Sequence, residues 1–255
     1  MKSRLDKLLT EYGLVTTRSR AQERILAGEV SVNGSIITKP GILVDDTALL
    51  ALHGNEIPYV SRGGLKLAAA LTQWKIDLIG RVCLDVGIST GGFTDCMLQH
   101  GAREIIGIDT GSDQLAQKLR TDQRVRLMER TNARYLTAKM IPAGISFFTM
   151  DVSFIAASLV IPAVISAVAE ANAREKENET ALKDAVVLVK PQYEAGREHV
   201  GKRGIVREPA AQIASVERVR QTLLQCDATR IEVIDSPISG GDGNREYLLY
   251  AIFRE

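Results

Sequence analysis

The chain has 255 residues, 45% hydrophobic and 25% charged, with a formal net charge of +1. That length can bury a substantial core as one large domain or two unequal ones. The near-neutral balance excludes a grossly basic protein, so any nucleic-acid footprint must be a local patch.

Cys83, Cys96 and Cys226 are dispersed and form no C-x-x-C pair. They fit reduced core thiols in a cytosolic protein better than a disulfide frame or a zinc site, and no metal is expected. The opening MKSRLDKLLTEYG has no apolar core of signal-peptide length. The most apolar stretch, Ala156 to Ala169, is interrupted by Pro162 and too short to span a bilayer. A soluble, cytoplasmic protein is expected.

In chain order, Leu5, Leu8, Leu9 and Tyr12 fall at helical spacing and are stopped by Gly13. A second helix is predicted over residues 17–27, with Ser19 and Gln22 as a capping box, Ala21 and Ile25 facing inward, and Gly28 as the stop. Val30 and Val32 then alternate before Asn33-Gly34, a hairpin signal, and a further strand around ILVDDTALLAL closes the unit. So small a core suits binding. Lys2, Arg4, Lys7, Arg18, Arg20, Arg24 and Lys39 stand against four acids in the first 40 residues. They read equally as an RNA-binding face or as solvated helix surfaces.

Beyond residue 60 the pattern changes to alternating strands and helices. Strands are predicted at residues 81–86, 104–109, 125–129, 145–151, 185–190, 231–235 and 246–253. Most are separated by helical or turn segments, the signature of an α/β, doubly wound parallel sheet. The polar stretch 170–184 reads as a solvated connection.

The first of these strands ends in CLDVGISTGGFTD, a glycine-rich turn opening a helix. Such turns place backbone N–H groups at the carboxyl edge of a sheet, where α/β folds bind ligands. The spacing of Gly87, Gly91 and Gly92 departs from the dinucleotide fingerprint, and Asp85 would repel a pyrophosphate while suiting an amine or a sulfonium. Asp109 ends the next strand, where a carboxylate can accept from both ribose hydroxyls. A nucleoside with a cationic substituent and no phosphate describes S-adenosylmethionine. Asp151 and Lys190 end two further strands on the same edge, and Lys66 lies on the helix before the sheet. Singly, Asp151 could be a helix cap and Lys66 a solvated lysine.

The segments YVSRGGLKL, LDVGISTGGFTD, RTNARYLT, DVSFI, LVKPQYEAGRE, GIVREP and GNREYLLY run collinearly through nearly the whole length. With them the chain resembles the TlyA (hemolysin A) family, in which an alpha-L RNA-binding domain is fused to an FtsJ-like ribose methyltransferase domain. The resemblance implies residues 1–56 as the RNA-binding domain, 57–60 as a linker, and 61–255 as a Rossmann-like seven-stranded methyltransferase domain. It maps a Lys-Asp-Lys-Glu tetrad onto Lys66, Asp151, Lys190 and Glu246. It places Asp85, Gly87, Ser89, Gly91, Gly92 and Phe93 around the methionine moiety, Asp109 at the ribose, and Asn132 and Ala133 near the adenine. The stretch TGSDQLAQKL departs from the family pattern at Ser112 and Asp113, which leaves the contacts after Asp109 open.

The implied reaction moves a methyl group from S-adenosylmethionine to a ribose 2′-hydroxyl, of cytidine, in ribosomal RNA or a ribosomal subunit. Methyl transfer from a sulfonium is an in-line displacement that rests on alignment and on a base for the hydroxyl proton. Lys190, crowded by Lys66, is the candidate base, with Asp151 orienting Lys190 and Glu246 fixing Lys66. Base methylation fits less well, since DVSF stands where amino-group methyltransferases carry N/D-P-P-Y/F, and no cysteine is near Asp151 or Lys190. Arg197, Lys202, Arg203 and Arg207 in a loop beside the site either clamp RNA phosphates or ride a mobile surface loop. Rival readings are a membrane-lytic protein, for which no spanning or strongly amphipathic basic helix is predicted, and a non-catalytic RNA-binding assembly factor.

Overall fold

The computed structural model describes residues 2–15, 17–54, 57–174, 181–240 and 243–253, and Ser19 and Glu23 in backbone only. The chain divides into two compact units, residues 1–58 and 59–255.

In the first unit, β1 (Lys2–Arg4) runs into α1 (Leu5–Glu11), followed by α2 (Arg18–Leu26). Leu5, Leu8 and Leu9 form a buried stripe on α1, and Ala21 and Ile25 meet it from α2. Each such leucine contributes about 1.5–3 kcal/mol by leaving water. Tyr12 falls outside this stripe. It is 49% exposed, and its hydroxyl donates to the Asp46 carbonyl. The α2 cap also differs from expectation, because Arg20 N–H donates to Thr17 Oγ1. The Ser19 side chain lies outside the described residues.

Strands β2 (Val30–Val32) and β3 (Ser35–Ile36) pair across Asn33-Gly34, whose positive φ values of 49° and 81° are those of a tight hairpin turn. The stretch read as one closing strand is two. β4 (Leu43–Asp45) pairs with β1, and β5 (Leu50–Leu52) pairs with β2.

The second unit opens with α3 (Gly63–Trp74) and then alternates β6 (Val82–Val86), α4 (Gly92–Gln99), β7 (Glu104–Ile108), α5 (Gln117–Arg120), β8 (Val125–Met128) and β9 (Ile145–Met150). There follow α6 (Ile161–Asn172), β10 (Asp184–Val189), α7 (Pro191–Glu194), α8 (Pro209–Gln225), β11 (Arg230–Asp235) and β12 (Tyr247–Ile252). The seven strands form one sheet in the order β11-β12-β10-β9-β6-β7-β8. Leu84, Ile106, Phe148 and Val187 share one face with α6 and α8, in the main core. The alternate residues Cys83, Ile105 and Phe147 are also fully buried, on the face where α3 packs against α4.

Two features depart from the expected parallel sheet with a short linker. Strand β12 runs antiparallel to both β10 and β11, so the sheet is mixed. Tyr59 and Val60 belong to the second unit rather than to a linker. Tyr59 is 7% exposed, and Val60 N–H donates to Asp95 Oδ2 at 2.7 Å.

Candidate active site

Chain order reverses between β6 and β9, and the carboxyl ends of these strands are level, Val86 pairing with Met150 on one side and with Ile108 on the other. Ligands in open α/β sheets bind in the crevice at such a reversal. Here it holds a cavity of about 300 Å³.

Five of the residues expected around the cofactor lie on its wall: Gly87, Ser89, Asp109, Asn132 and Ala133. Asp109 is held ready by its own loop. Its Oδ2 accepts from Ser89 N–H at 2.8 Å and its Oδ1 from Gly111 N–H at 2.7 Å, leaving each oxygen further capacity for a hydroxyl donor. Asn132 Oδ1 caps the following turn by accepting from Arg134 N–H at 3.0 Å. In the stretch after Asp109, Ser112 and Asp113 do not line the cavity. Gln114 reaches the wall instead, and Asp113 N–H turns away to Glu129 Oε1 at 2.7 Å.

Asp85, Gly91, Gly92 and Phe93 are not on the wall. Asp85 is 1% exposed, and its two oxygens accept from Thr94 Oγ1 at 2.6 Å and Thr149 Oγ1 at 3.0 Å. It ties β6 to α4 and β9. Desolvation pushes its carboxyl up to about 6, against the two threonine hydroxyls that favour the charged form. Phe93 is 4% exposed. At Gly92 a Cβ would meet Ser61 Oγ at 2.4 Å, so this glycine lets α4 approach the start of α3. Gly87 has a positive φ of 87°, and a Cβ there would lie 2.4 Å from the Asp151 carbonyl oxygen. It brings the glycine-rich turn directly against the Asp151 backbone.

The tetrad is assembled by strand order. Asp151 follows β9 and Lys190 follows β10, its parallel neighbour. Because β12 is antiparallel, Glu246 enters it at the same edge, and the register pairing Val189 with Tyr247 sets Glu246 beside Lys190. Lys190 Nζ lies 2.6 Å from Asp151 Oδ1, and Lys66 Nζ donates to Glu246 Oε2 at 2.5 Å. These are the pairs the sequence analysis expects. Three neighbours escaped it. Ser153 Oγ accepts from Lys190 Nζ at 2.8 Å. Phe154 stands 92% exposed on the cavity wall with a positive φ of 64°, its ring 5.7 Å from that of Tyr193. Buried Glu194 accepts from Ser158 N–H and Oγ at 3.2 and 2.7 Å, joining α7 to the turn after Phe154.

The basic residues sort into two kinds. Asp6, fully buried, accepts from Arg4, Arg18 and Gln22. The Arg4 guanidinium, followed by Gln22 and Arg18, holds its carboxyl well below the usual range. Arg4 and Arg18 keep about half their side-chain surface, 46% and 54%. Lys7 is exposed beside Glu11, and Arg20 donates to the Ile57 carbonyl. Arg24 does not belong with them. Its side chain is 7% exposed and bonds Glu29 and the His53 carbonyl, so it is a strut of the unit. Arg197, Lys202 and Arg203 are exposed, and Lys202, Arg203 and Arg207 line a second, open concavity. That loop is held by buried Asn244, which accepts from Val206 N–H and donates to the Gly204 carbonyl.

The thiols of Cys83 and Cys96 are buried and pushed up to about 12 by desolvation. No helix among the described residues is long and apolar enough to cross a membrane.

The FtsJ-like methyltransferase family matches residues 59–253 and the S4 domain family residues 3–49. The Bacillus subtilis protein YqxC is 44% identical over 98% of this chain and 85% of its own. The Mycobacterium tuberculosis 16S/23S rRNA (cytidine-2′-O)-methyltransferase TlyA is 39% identical over 98% of this chain and 89% of its own. A solved hemolysin-named protein from Streptococcus thermophilus is 39% identical, covering all of this chain and 89% of that one, with a TM-score of 0.74. The chain therefore belongs to the FtsJ-like methyltransferases that carry an N-terminal S4 domain, the TlyA group.

Proposed function

We propose that the protein transfers a methyl group from S-adenosylmethionine to a ribose 2′-hydroxyl, of cytidine, in ribosomal RNA, in the cytoplasm. The observation that carries this reading is the pair of lysine–carboxylate contacts, Lys190–Asp151 and Lys66–Glu246, set by strand order beside a cavity that contains Asp109. Asp109 accepts the cofactor's ribose hydroxyls, and Ser89, Asn132 and Ala133 line the nucleoside. Gly87, Gly91, Gly92, Phe93 and Asp85 shape the turn, mostly from behind the wall. Lys190 draws the proton from the 2′-hydroxyl, Asp151 offsets the charge that gathers on it, and Lys66, fixed by Glu246, orients the ribose.

Phe154 and Tyr193 offer an aromatic platform on which a base turned out of its helix can stack. Arg4, Lys7, Arg18 and Arg20 supply phosphate contacts from the S4 domain, and Arg197, Lys202 and Arg203 from the loop after α7. Incubation with labelled S-adenosylmethionine and ribosomal subunits or ribosomal RNA, followed by alkaline hydrolysis, tests the proposal. Label in an alkali-resistant dinucleotide is expected, because 2′-O-methylation blocks cleavage there. Label released in ordinary mononucleotides, or none transferred to either substrate, refutes it.

A further inference from the structure

The directed hydrogen bond from the Lys190 ammonium goes to Ser153, a residue outside the tetrad. Nζ donates to Ser153 Oγ at 2.8 Å. Asp151 Oδ1 is nearer, at 2.6 Å, yet it receives no hydrogen bond of acceptable angle among the described residues. That second contact is charge against charge, which is weakly directional. An exposed serine touching a lysine is ordinarily a casual surface contact, but here both partners are held by their own loops. Phe154, the next residue, has a left-handed backbone, a conformation costing about 1–3 kcal/mol that persists only where the surroundings enforce it. The Phe154 and Tyr193 rings meet at 5.7 Å, and Ser158 is bonded twice to Glu194, which is 2% exposed. The segment carrying Ser153 and the segment carrying Lys190 are thus joined at three points along their length.

We propose that Ser153 is a positioning residue for the methyl transfer, fixing the Lys190 amine so that its lone pair faces the ribose hydroxyl; this rests on Lys190 as the base. A neutral amine has two N–H bonds and one lone pair and turns freely about its Cε–Nζ bond. Only one of its three staggered settings points the lone pair at the substrate. Tying one N–H to Ser153 selects among these settings, which the Asp151 charge alone does not do. In the step itself the 2′-oxygen forms a bond to the methyl carbon as the carbon–sulfur bond breaks. Sulfur keeps that electron pair and leaves as a neutral thioether. The hydroxyl proton passes to Lys190, so the positive charge that began on the sulfonium ends on an ammonium beside Asp151.

Steady-state kinetics with S-adenosylmethionine and ribosomal RNA separate this role from a structural one, using Ser153→Ala, Ser153→Thr and Lys190→Arg. Misorientation of a reacting group costs about ten- to a hundredfold in rate. Ser153→Ala should therefore lower kcat by that factor while KM for cofactor and RNA stays within about twofold, and Ser153→Thr, which keeps the hydroxyl, should recover most of the rate. Lys190→Arg should turn over almost nothing, because a guanidinium stays protonated. Full kcat in Ser153→Ala with an inactive Lys190→Arg leaves the base in place and overturns the role of Ser153. An active Lys190→Arg removes the base reading and this inference with it. Loss of cofactor affinity by calorimetry in both Ser153 variants would assign the residue to the cofactor site instead.

Discussion

Lys66 and Glu246 are separated by 180 residues and meet at 2.5 Å, with side chains 10% and 3% exposed. One lies on the helix that precedes the sheet and the other enters its antiparallel strand, so the contact closes the second unit upon itself at the edge that carries the cavity. A buried ion pair adds little over an apolar pair, but removing one member strands the other. Glu246→Gln should destabilise the protein by about 3–5 kcal/mol, and the double variant Lys66→Met/Glu246→Gln should recover most of that loss. Urea unfolding of the four proteins in the cycle checks this. Additive losses would mean that the two side chains are not coupled.

The Asp109 carboxylate is already oriented by two backbone amides, and under the proposed role as acceptor of the cofactor's ribose hydroxyls this lowers the ordering cost of binding. Asp109→Ala should weaken S-adenosylmethionine binding by about 1.5–3 kcal/mol, roughly ten- to a hundredfold, with little change in melting temperature. Titration calorimetry measures both the affinity and, by its absence of heat, any failure to bind. An unchanged dissociation constant would move the ribose site off β7.

The seven strands were legible because each is an apolar run bounded by turns or charges; Asp151 and Lys190 stood out at strand ends and Lys66 on the adjoining helix, whereas Glu246 entered only through the family resemblance. The direction of β12 was not legible, since a strand buried on both faces reads the same either way along a sheet. Residue type misled at two places. Asp85 suits a cation by its charge, but it is 1% exposed and off the cavity wall, and its oxygens accept from Thr94 and Thr149, partners 9 and 64 residues away. Arg24 looks like one more exposed basic residue of α2 until its bonds to Glu29 and the His53 carbonyl are seen. Ser153 carries no local signal, because what marks it is a distance to a lysine 37 residues on.

Arg4 and Arg18 share the buried Asp6 carboxylate, whereas Arg24 is spent on the fold. Arg4→Gln and Arg18→Gln should weaken binding of ribosomal RNA and reduce the slope of log affinity against log salt by about one each. Arg24→Gln should instead lower thermal stability, with the salt slope unchanged. Filter binding over a salt series and differential scanning of the same proteins decide the matter. Equal salt slopes for all three variants would remove the distinction.

The buried Asp85 carboxyl has a sign that can be followed. Its value in the folded protein is raised to about 6 from an ordinary 3.8, chiefly by desolvation, with the nearby Asp151 charge acting in the same direction. Below about pH 4 the group is protonated whether the chain is folded or not, and it contributes no pH dependence. Between about pH 4 and 6 the unfolded chain has released this proton while the folded protein holds it, so stability falls as pH rises. Above about pH 6 the cost levels off near 3 kcal/mol, from about 1.4 kcal/mol for each of roughly two pH units. Asp85→Asn removes the titration while keeping the shape and partners for both threonine hydroxyls. The other carboxylates titrate in both proteins and cancel in the difference. The stability of Asp85→Asn relative to the parent should therefore improve by about 2 kcal/mol between pH 4.5 and pH 7, read from urea unfolding at each pH. If the two stability curves run parallel across that window, Asp85 is charged in the folded protein no less readily than in the unfolded chain, and its burial between Thr94 and Thr149 carries no ionisation cost.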